Sequence, residues 1–302
     1  MRVGSIRAGV NTVVSPSGRA PRSRVIGALG HAARLARAAH LEQPARHLTH
    51  ALDALFVLAR RPPLRADLRG LAFRGYLRHR SVLANDVRPE TSYCELFEQS
   101  LRPGLTVVDG GAHLGAYAVL AARAVGPSGA VLAVEPDAYN FRALAYNVRR
   151  LTDGRVRLSS KALAASSGRV PFHLSSGTRG SSLYERSDTI GVTEVETTTI
   201  DDELDDAPLE GGLLVKLNVE GAEPLVLEGM RRTLARVEDV TLFVEAHHVL
   251  LGRAGTTVEA LVHQLRRAGF RVWWLDGAYS TLAPVERAPR DRNGHLYCVR
   301  GA

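Results

Sequence analysis

Residues 106–115 read Thr106-Val107-Val108-Asp109-Gly110-Gly111-Ala112-His113-Leu114-Gly115. The stretch 106–109 is a short buried strand that runs straight into a glycine-rich loop. Glycines there let the backbone turn sharply and let a ligand approach the main chain. An apolar helix follows over 116–125, then a second strand over 130–134 that ends in Glu135-Pro136-Asp137. Glu135 lies about twenty residues beyond the loop, where an acid takes ribose hydroxyls in nucleotide sites. Strand, loop, helix, strand and acid together point to a nucleoside-bearing cofactor.

The same alternation continues outward. A helix is expected over 138–150, strands over 156–160, 169–173 and 213–217, and a helix over 223–235. A strand over 240–245, a helix over 258–268 and strands over 271–275 and 295–300 close the run. Gly126, Gly154 and Gly269 supply the punctuation. Such alternation predicts an α/β fold with a mainly parallel sheet covered on both faces. Ligands then bind beyond the carboxyl ends of the strands.

Upstream the pattern changes. Residues 1–24 read as a flexible leader. Helical periodicity covers 25–41 and 44–58, with Leu48, Leu52, Leu55 and Leu58 in one apolar stripe. Arg60-Arg61-Pro62-Pro63 ends it. The chain is therefore divided into a leader (1–24), a basic helical segment (25–85) and the main α/β domain (86–302). The stripe fits packing on the main domain; a dimer contact through these helices, a lid and a membrane-surface helix are the functional alternatives.

The net charge of +8 over 302 residues is unevenly placed. Residues 1–80 hold fifteen arginines against Glu42, Asp53 and Asp67, which leaves the remainder slightly acidic. The body is thus no polyanion-binding surface, and no nucleic-acid partner is expected. Apolar runs such as 54–59 and 116–122 are too short to span a bilayer. The two cysteines, Cys94 and Cys298, make neither a disulfide framework nor a zinc site, and suit a reducing compartment; a cytoplasmic location is expected. Lys161 and Lys216 are the only lysines.

The loop also bears on which cofactor binds. A dinucleotide would place a pyrophosphate at the loop and helix N-terminus, and Asp109 at that mouth would repel it. S-adenosylmethionine has no phosphate and carries two cationic groups that a carboxylate compensates. The residues favour S-adenosylmethionine, with Asp109 as a simple turn cap the alternative.

Asp109-Gly110-Gly111-Ala112-His113-Leu114-Gly115, Glu135-Pro136 with Asn140 and Asn147, and Lys216-Leu217-Asn218-Val219-Glu220-Gly221-Ala222-Glu223 together resemble the FkbM family of methyltransferases. Gly180–Leu183 and Thr199–Asp202 add weaker matches, and the resemblance covers roughly residues 85–300. It implies a Rossmann-like class I methyltransferase fold, seven-stranded with one antiparallel strand. It also implies methyl transfer from S-adenosylmethionine, usually to a hydroxyl of a sugar, polyketide or other natural product. The cofactor set implied is Asp109, Gly110, Gly111, His113, Gly115, Glu135, Pro136, Asn140, Ala162, Leu163 and Asn218, with Ala162-Leu163 passing the adenine. One departure stands out: the family usually has Asp where this chain has Asn218. An amide accepts no proton and is a poor ligand for a hard cation.

Methyl transfer to oxygen needs alignment of the nucleophile, exclusion of water and removal of a proton. Two strand ends offer groups for it. The first is Asn218 to Glu223, where Glu220 and Glu223, three apart, are expected on one helix face; helix-dipole stabilisation is the plain alternative. The second is Glu245-Ala246-His247-His248. His247 has the titration range of a base for a hydroxyl, and His248 should point the other way. The catalytic candidates are Asn218, Glu220, Glu245 and His247; no metal is expected. Lys216, inside a strand, should pair with a buried carboxylate. Gly177–Ser182 could close over the acceptor.

The reading is a small-molecule O-methyltransferase. Methyl transfer to a nitrogen, protein or nucleic acid, an NAD-dependent oxidoreductase, and a binding module that has lost turnover through Asn218 remain as alternatives.

Overall fold

The computed structural model describes residues 51–68, 70–85, 92–276, 282–285 and 292–301. The leader and residues 25–50 of the helical segment lie outside the described residues. Residues 51–58 are helical and end just before the Arg60–Pro63 stop.

Beyond that stop the helical expectation fails. β1 (Leu64–Leu68) and β2 (Leu71–Gly75) form an antiparallel hairpin. The signal is a period of two: Leu64 is buried, Arg65 exposed, Ala66 half-buried and Asp67 exposed. At the turn the Asp67 carboxylate accepts from the Gly70 amide at 2.9 Å, and Gly70 takes a positive φ of 77°, open only to glycine at little cost. A 3-10 turn (Leu77–His79) and two helices, Arg80–Asn85 and Ser92–Gln99, lead into the main domain.

The domain is then built strand by strand: β3 (Thr106–Gly110), β4 (Ala130–Val134), β5 (Val156–Ser159), β6 (Ala162–Leu163), β7 (Gly168–Ser175), β8 (Thr189–Thr198), β9 (Leu213–Leu217), β10 (Val240–Ala246), β11 (Arg271–Asp276), β12 (Leu282–Pro284) and β13 (Gly294–Arg300). The central sheet runs β12-β11-β13-β10-β9-β3-β4-β5. Neighbours from β10 to β5 pair in parallel, and β13 runs antiparallel to both β10 and β11. Apart from the edge strand β12, this is a seven-stranded sheet with one antiparallel strand, as the resemblance implies. β12, an exposed strand of three residues, makes the sheet eight-stranded. β6, β8 and β7 form a separate three-stranded sheet; β6 and β8 escaped the sequence reading, β8 because its alternation is largely solvent-exposed.

β3 and β9 are buried along their whole length because helices cover both faces. Successive side chains alternate between those faces. Val108, Val215 and Val244 join Leu261 and Leu265 in one core; Val107, Leu214 and Phe243 join Val119, Leu144 and Phe97 in the other. Truncating such a leucine to alanine costs about 2–5 kcal/mol. The same alternation puts Asp109, Lys216 and Glu245 on the second face, at the carboxyl ends of their strands. β3 and β9 are adjacent while their onward connections diverge, so a crevice opens there, where open α/β sheets bind ligands.

The helix expected over 223–235 is two, Glu223–Glu228 and Arg231–Arg236. Gly229 breaks it: a Cβ there would stand 2.2 Å from the Ala164 carbonyl oxygen, so the chain turns to let β6 pass. Among the described residues no helix is long and apolar enough to cross a membrane.

Candidate active site

A cavity of about 840 Å³ lies at the carboxyl ends of β3, β4, β9 and β10. One end is bounded by the loop 111–114, by Glu135 and Pro136, and by Ala162 and Leu163; the other by Asn218, Glu220, Glu245 and His247. All four catalytic candidates and most of the cofactor set therefore face one space. Asp109, Gly110 and Gly115 do not line it.

Asp109 shapes the loop instead. In the β3–β9 register Asp109 stands opposite Lys216, and Oδ1 and Nζ form an ion pair at 3.0 Å with both side chains buried. Oδ2 accepts from the Ala118 amide at 3.0 Å, which caps the helix Ala116–Ala124. Lys216 Nζ also donates to the carbonyls of Gly110 (3.2 Å) and Gly111 (2.9 Å). The expected partner of Lys216 is thus Asp109. This corrects the electrostatic reading of the loop: the Asp109 charge is neutralised within the protein and is not aimed at a ligand.

The glycines are set by packing. A Cβ on Gly111 (φ 70°) would lie 1.9 Å from the Asn218 carbonyl oxygen, so only glycine lets the first loop and the loop after β9 touch. Gly110 abuts Leu163 and Leu217, and Gly115, also at positive φ, abuts Leu144.

Glu135 is buried at the end of β4. Its Oε2 accepts from the His113 amide (2.9 Å) and its Oε1 from the Asp137 amide (3.0 Å) and Asn140 Nδ2 (3.4 Å). Burial, helped by the Asp137 charge, pushes its carboxyl up to about 7. Pro136 follows, and Asp137 caps the helix Ala138–Leu151 through the Tyr139 and Asn140 amides. Two buried polar atoms of cavity-lining residues, His113 Nε2 and Thr178 Oγ1, have no protein partner. A buried carboxylate and two unpartnered polar atoms fit a polar nucleoside such as that of S-adenosylmethionine. Burial holds the His113 imidazole well below its ordinary value, so it is neutral.

At the other end, Asn218, with its amide nitrogen toward β10, donates to both carboxylate oxygens of Glu245, at 3.1 Å to Oε1. Burial, then the charges of Glu220 and Glu223, raise the Glu245 carboxyl well above the usual carboxylate range. Glu220 and Glu223 do not share a helix face. Glu220 sits before the helix in a left-handed turn (φ 57°), and its Oε2 pairs with Arg186 Nη1 at 2.9 Å. Glu223 is buried and turned back, accepting from the Val219 and Gly221 amides, each at 3.0 Å; burial pushes it up to about 7. It holds the turn and does not line the cavity.

His247 and His248 do not point opposite ways, because β10 ends at Ala246 and the chain turns into a helix. Their rings stack at 5.9 Å and share Asn293. Asn293 Oδ1 accepts from the His248 amide at 3.2 Å, which turns its Nδ2 toward His247 Nε2 at 3.0 Å. The Nε2 lone pair of His247 is thereby occupied, and the neutral ring carries its proton on Nδ1. Burial keeps this ring below its ordinary value. His247 is therefore arranged as a donor, which argues against its role as a base.

The stretch Gly177–Leu183 lines the cavity and is fastened near its C-terminal end. Ser181 Oγ donates to Asp137 (2.8 Å), and Ser182 Oγ donates to the Glu220 carbonyl (2.8 Å). The sequence reading missed Arg186, Tyr93 and His295, which also line the cavity. None sits in a recognisable motif; only their place in the folded chain brings them there. Among the described residues no group of three or more His, Cys, Asp or Glu is placed to hold a metal ion.

Comparison with known proteins gives one sequence match: the model of the methyltransferase FkbM domain matches residues 109–272. No curated protein matches the chain. Among solved structures, it is similar to precorrin-6y C5,15-methyltransferase from Geobacter metallireducens, with 14% identity, 70% of this chain and 89% of that one covered, and a TM-score of 0.39. A SAM-dependent O-methyltransferase from Thermotoga maritima gives 13% identity, 70% and 64% coverage, and 0.37. A putative methyltransferase from Streptococcus mutans in complex with SAH gives 11%, 68% and 94%, and 0.39.

Proposed function

The chain belongs to the FkbM methyltransferase family and uses S-adenosylmethionine, and from that premise we propose that it methylates a hydroxyl of a small molecule, a sugar or natural product. The observation that carries this reading is the single cavity joining Glu135 to the Asn218–Glu245 pair. When bound, the cofactor supplies an activated methyl group. Glu135 accepts the ribose hydroxyls, and Gly111 lets the ligand approach the main chain of the loop 111–113. Ala162 and Leu163, both buried, give the adenine an apolar edge.

Glu245 is the group we assign to the acceptor's proton. A carboxylate held above the usual range is, once ionised, a stronger base than an ordinary one, and the Asn218 amide orients it. Arg186 and Glu220 form the polar wall that receives the rest of the acceptor, and His247 Nδ1 is a donor to it. Nitrogen, protein and nucleic-acid acceptors are the competing readings. The slightly acidic body favours a small molecule over a polyanion.

The test is turnover of methyl-labelled S-adenosylmethionine with panels of hydroxylated and aminated small molecules, for wild type and Glu245→Gln. The reading expects label on hydroxylated acceptors and about a 10²–10⁴-fold loss in the variant. Label only on amines, peptides or RNA would overturn it.

A further inference from the structure

The family match begins at residue 109, yet the cavity is also lined by Phe73, Ser81 and Val82 from the preceding segment. That segment is anchored on one face of the helix Ala138–Leu151 through three side chains. Asp53, buried, accepts from the Leu77 amide at 2.7 Å and from the Tyr139 hydroxyl. Asn147 accepts from the Arg74 amide at 2.7 Å and donates to the Arg74 carbonyl at 2.9 Å. The third anchor is His79 on Asn140.

His79 is fully buried, and its tautomer is fixed from both sides. The Tyr76 amide donates to Nδ1 at 3.1 Å, so the proton of the neutral ring is on Nε2. Nε2 is 3.1 Å from Asn140 Oδ1. Asn140 can only accept there, because its Nδ2 donates to the Thr178 carbonyl at 2.8 Å and to Glu135 Oε1 at 3.4 Å. Burial lowers the imidazole to about 3, so this arrangement holds throughout the working pH range. A directed chain therefore runs from the Tyr76 amide through His79 and Asn140 to the carboxylate assigned to the ribose.

We propose that His79 is a positioning residue of the cofactor site: its Nε2–H holds the Asn140 amide against Glu135, so that a segment outside the family domain sets the affinity for the cofactor's ribose. The inference rests on the methyltransferase reading and on the role given to Glu135. His79 touches no ligand; it acts through Asn140.

Two conservative variants separate positioning from folding. The shorter amide of His79→Asn reaches the place of Nδ1, so it keeps the acceptor for Tyr76 and loses the donor to Asn140. His79→Gln reaches the place of Nε2 and keeps that donor. Binding of S-adenosylhomocysteine is measured by calorimetry for both, alone and combined with Glu135→Ala. His79→Asn is expected to weaken binding about tenfold, His79→Gln to restore it, and the His79→Asn loss to vanish in the Glu135→Ala background, as coupled neighbours require. Wild-type affinity in His79→Asn, or a loss undiminished without Glu135, overturns the proposal. Should His79→Asn not fold, Asn140→Ala cuts the chain from the other side; a loss there that simply adds to that of Glu135→Ala overturns it equally. Failure of the wild-type protein to bind S-adenosylhomocysteine would remove the underlying methyltransferase reading, a distinct result.

Discussion

Asp109 and Lys216 face each other across adjacent parallel strands and close a buried ion pair at 3.0 Å. The pair joins the two loops that bound the cavity, since Lys216 also holds the Gly110 and Gly111 carbonyls. Removing one partner of a buried pair leaves an uncompensated charge and costs about 3–5 kcal/mol. Lys216→Met should therefore lose stability of that order in urea unfolding. The double variant with Asp109→Asn should recover part of it.

The contact between the two loops gives a second prediction. Gly111→Ala must accommodate a Cβ 1.9 Å from the Asn218 carbonyl at a positive φ. The backbone term alone is about 1–2 kcal/mol, and the overlap with a backbone atom adds to it. Lower thermal stability with lost S-adenosylhomocysteine binding is expected; a variant of wild-type affinity would show that the loops need not touch.

Glu135 and Glu223 predict how the free protein responds to pH. Burial holds both carboxyls up, to about 7, from an ordinary value of 4.5. The unfolded chain releases these protons near 4.5 and the folded one near 7, so the folded state binds more protons between those values. Stability then falls as pH rises through that window and levels off above it. Ribose hydroxyls donate to the charged form, so S-adenosylhomocysteine affinity should rise with pH across the same window. Glu135→Gln should flatten the binding profile, and calorimetry from pH 5 to 8.5 checks both slopes.

Asn218→Asp restores the residue the family usually carries. It replaces the amide donor on Glu245 with a second carboxylate, and like charges raise each other's proton affinity. The acid limb of the pH–rate profile should move to higher pH. A limb that stays in place would separate Glu245 from proton removal.

Much of this was readable in advance, and the gaps have physical causes. The buried strands β3, β4, β9 and β10 are short apolar runs bounded by glycine or acid, so period and punctuation located them. Glu135 and the Asn218–Glu220 turn stood out because strand ends are where α/β sheets place ligands. The β1–β2 hairpin fell within the segment labelled helical, although Asp67 and Gly70 mark its turn, because only the stretch before Arg60 was resolved by its periodicity. Asp109 was misjudged because its partner lies more than a hundred residues away in the chain. His79 had no local signal: its meaning lies in Asn140, on a helix that only folding brings beside it. His247 looked like a base in sequence, and only Asn293 shows which ring nitrogen carries the proton.

The most direct test of the site is the binding of S-adenosylhomocysteine to wild type and Glu135→Ala by calorimetry, with the fold of both checked by circular dichroism. The account predicts saturable one-site binding by the wild-type protein and a loss of at least about tenfold in the variant, the size of one hydrogen bond to a charged group. Equal affinity in the two proteins would contradict the assignment of Glu135 to the ribose and, with it, the placement of the cofactor in this cavity.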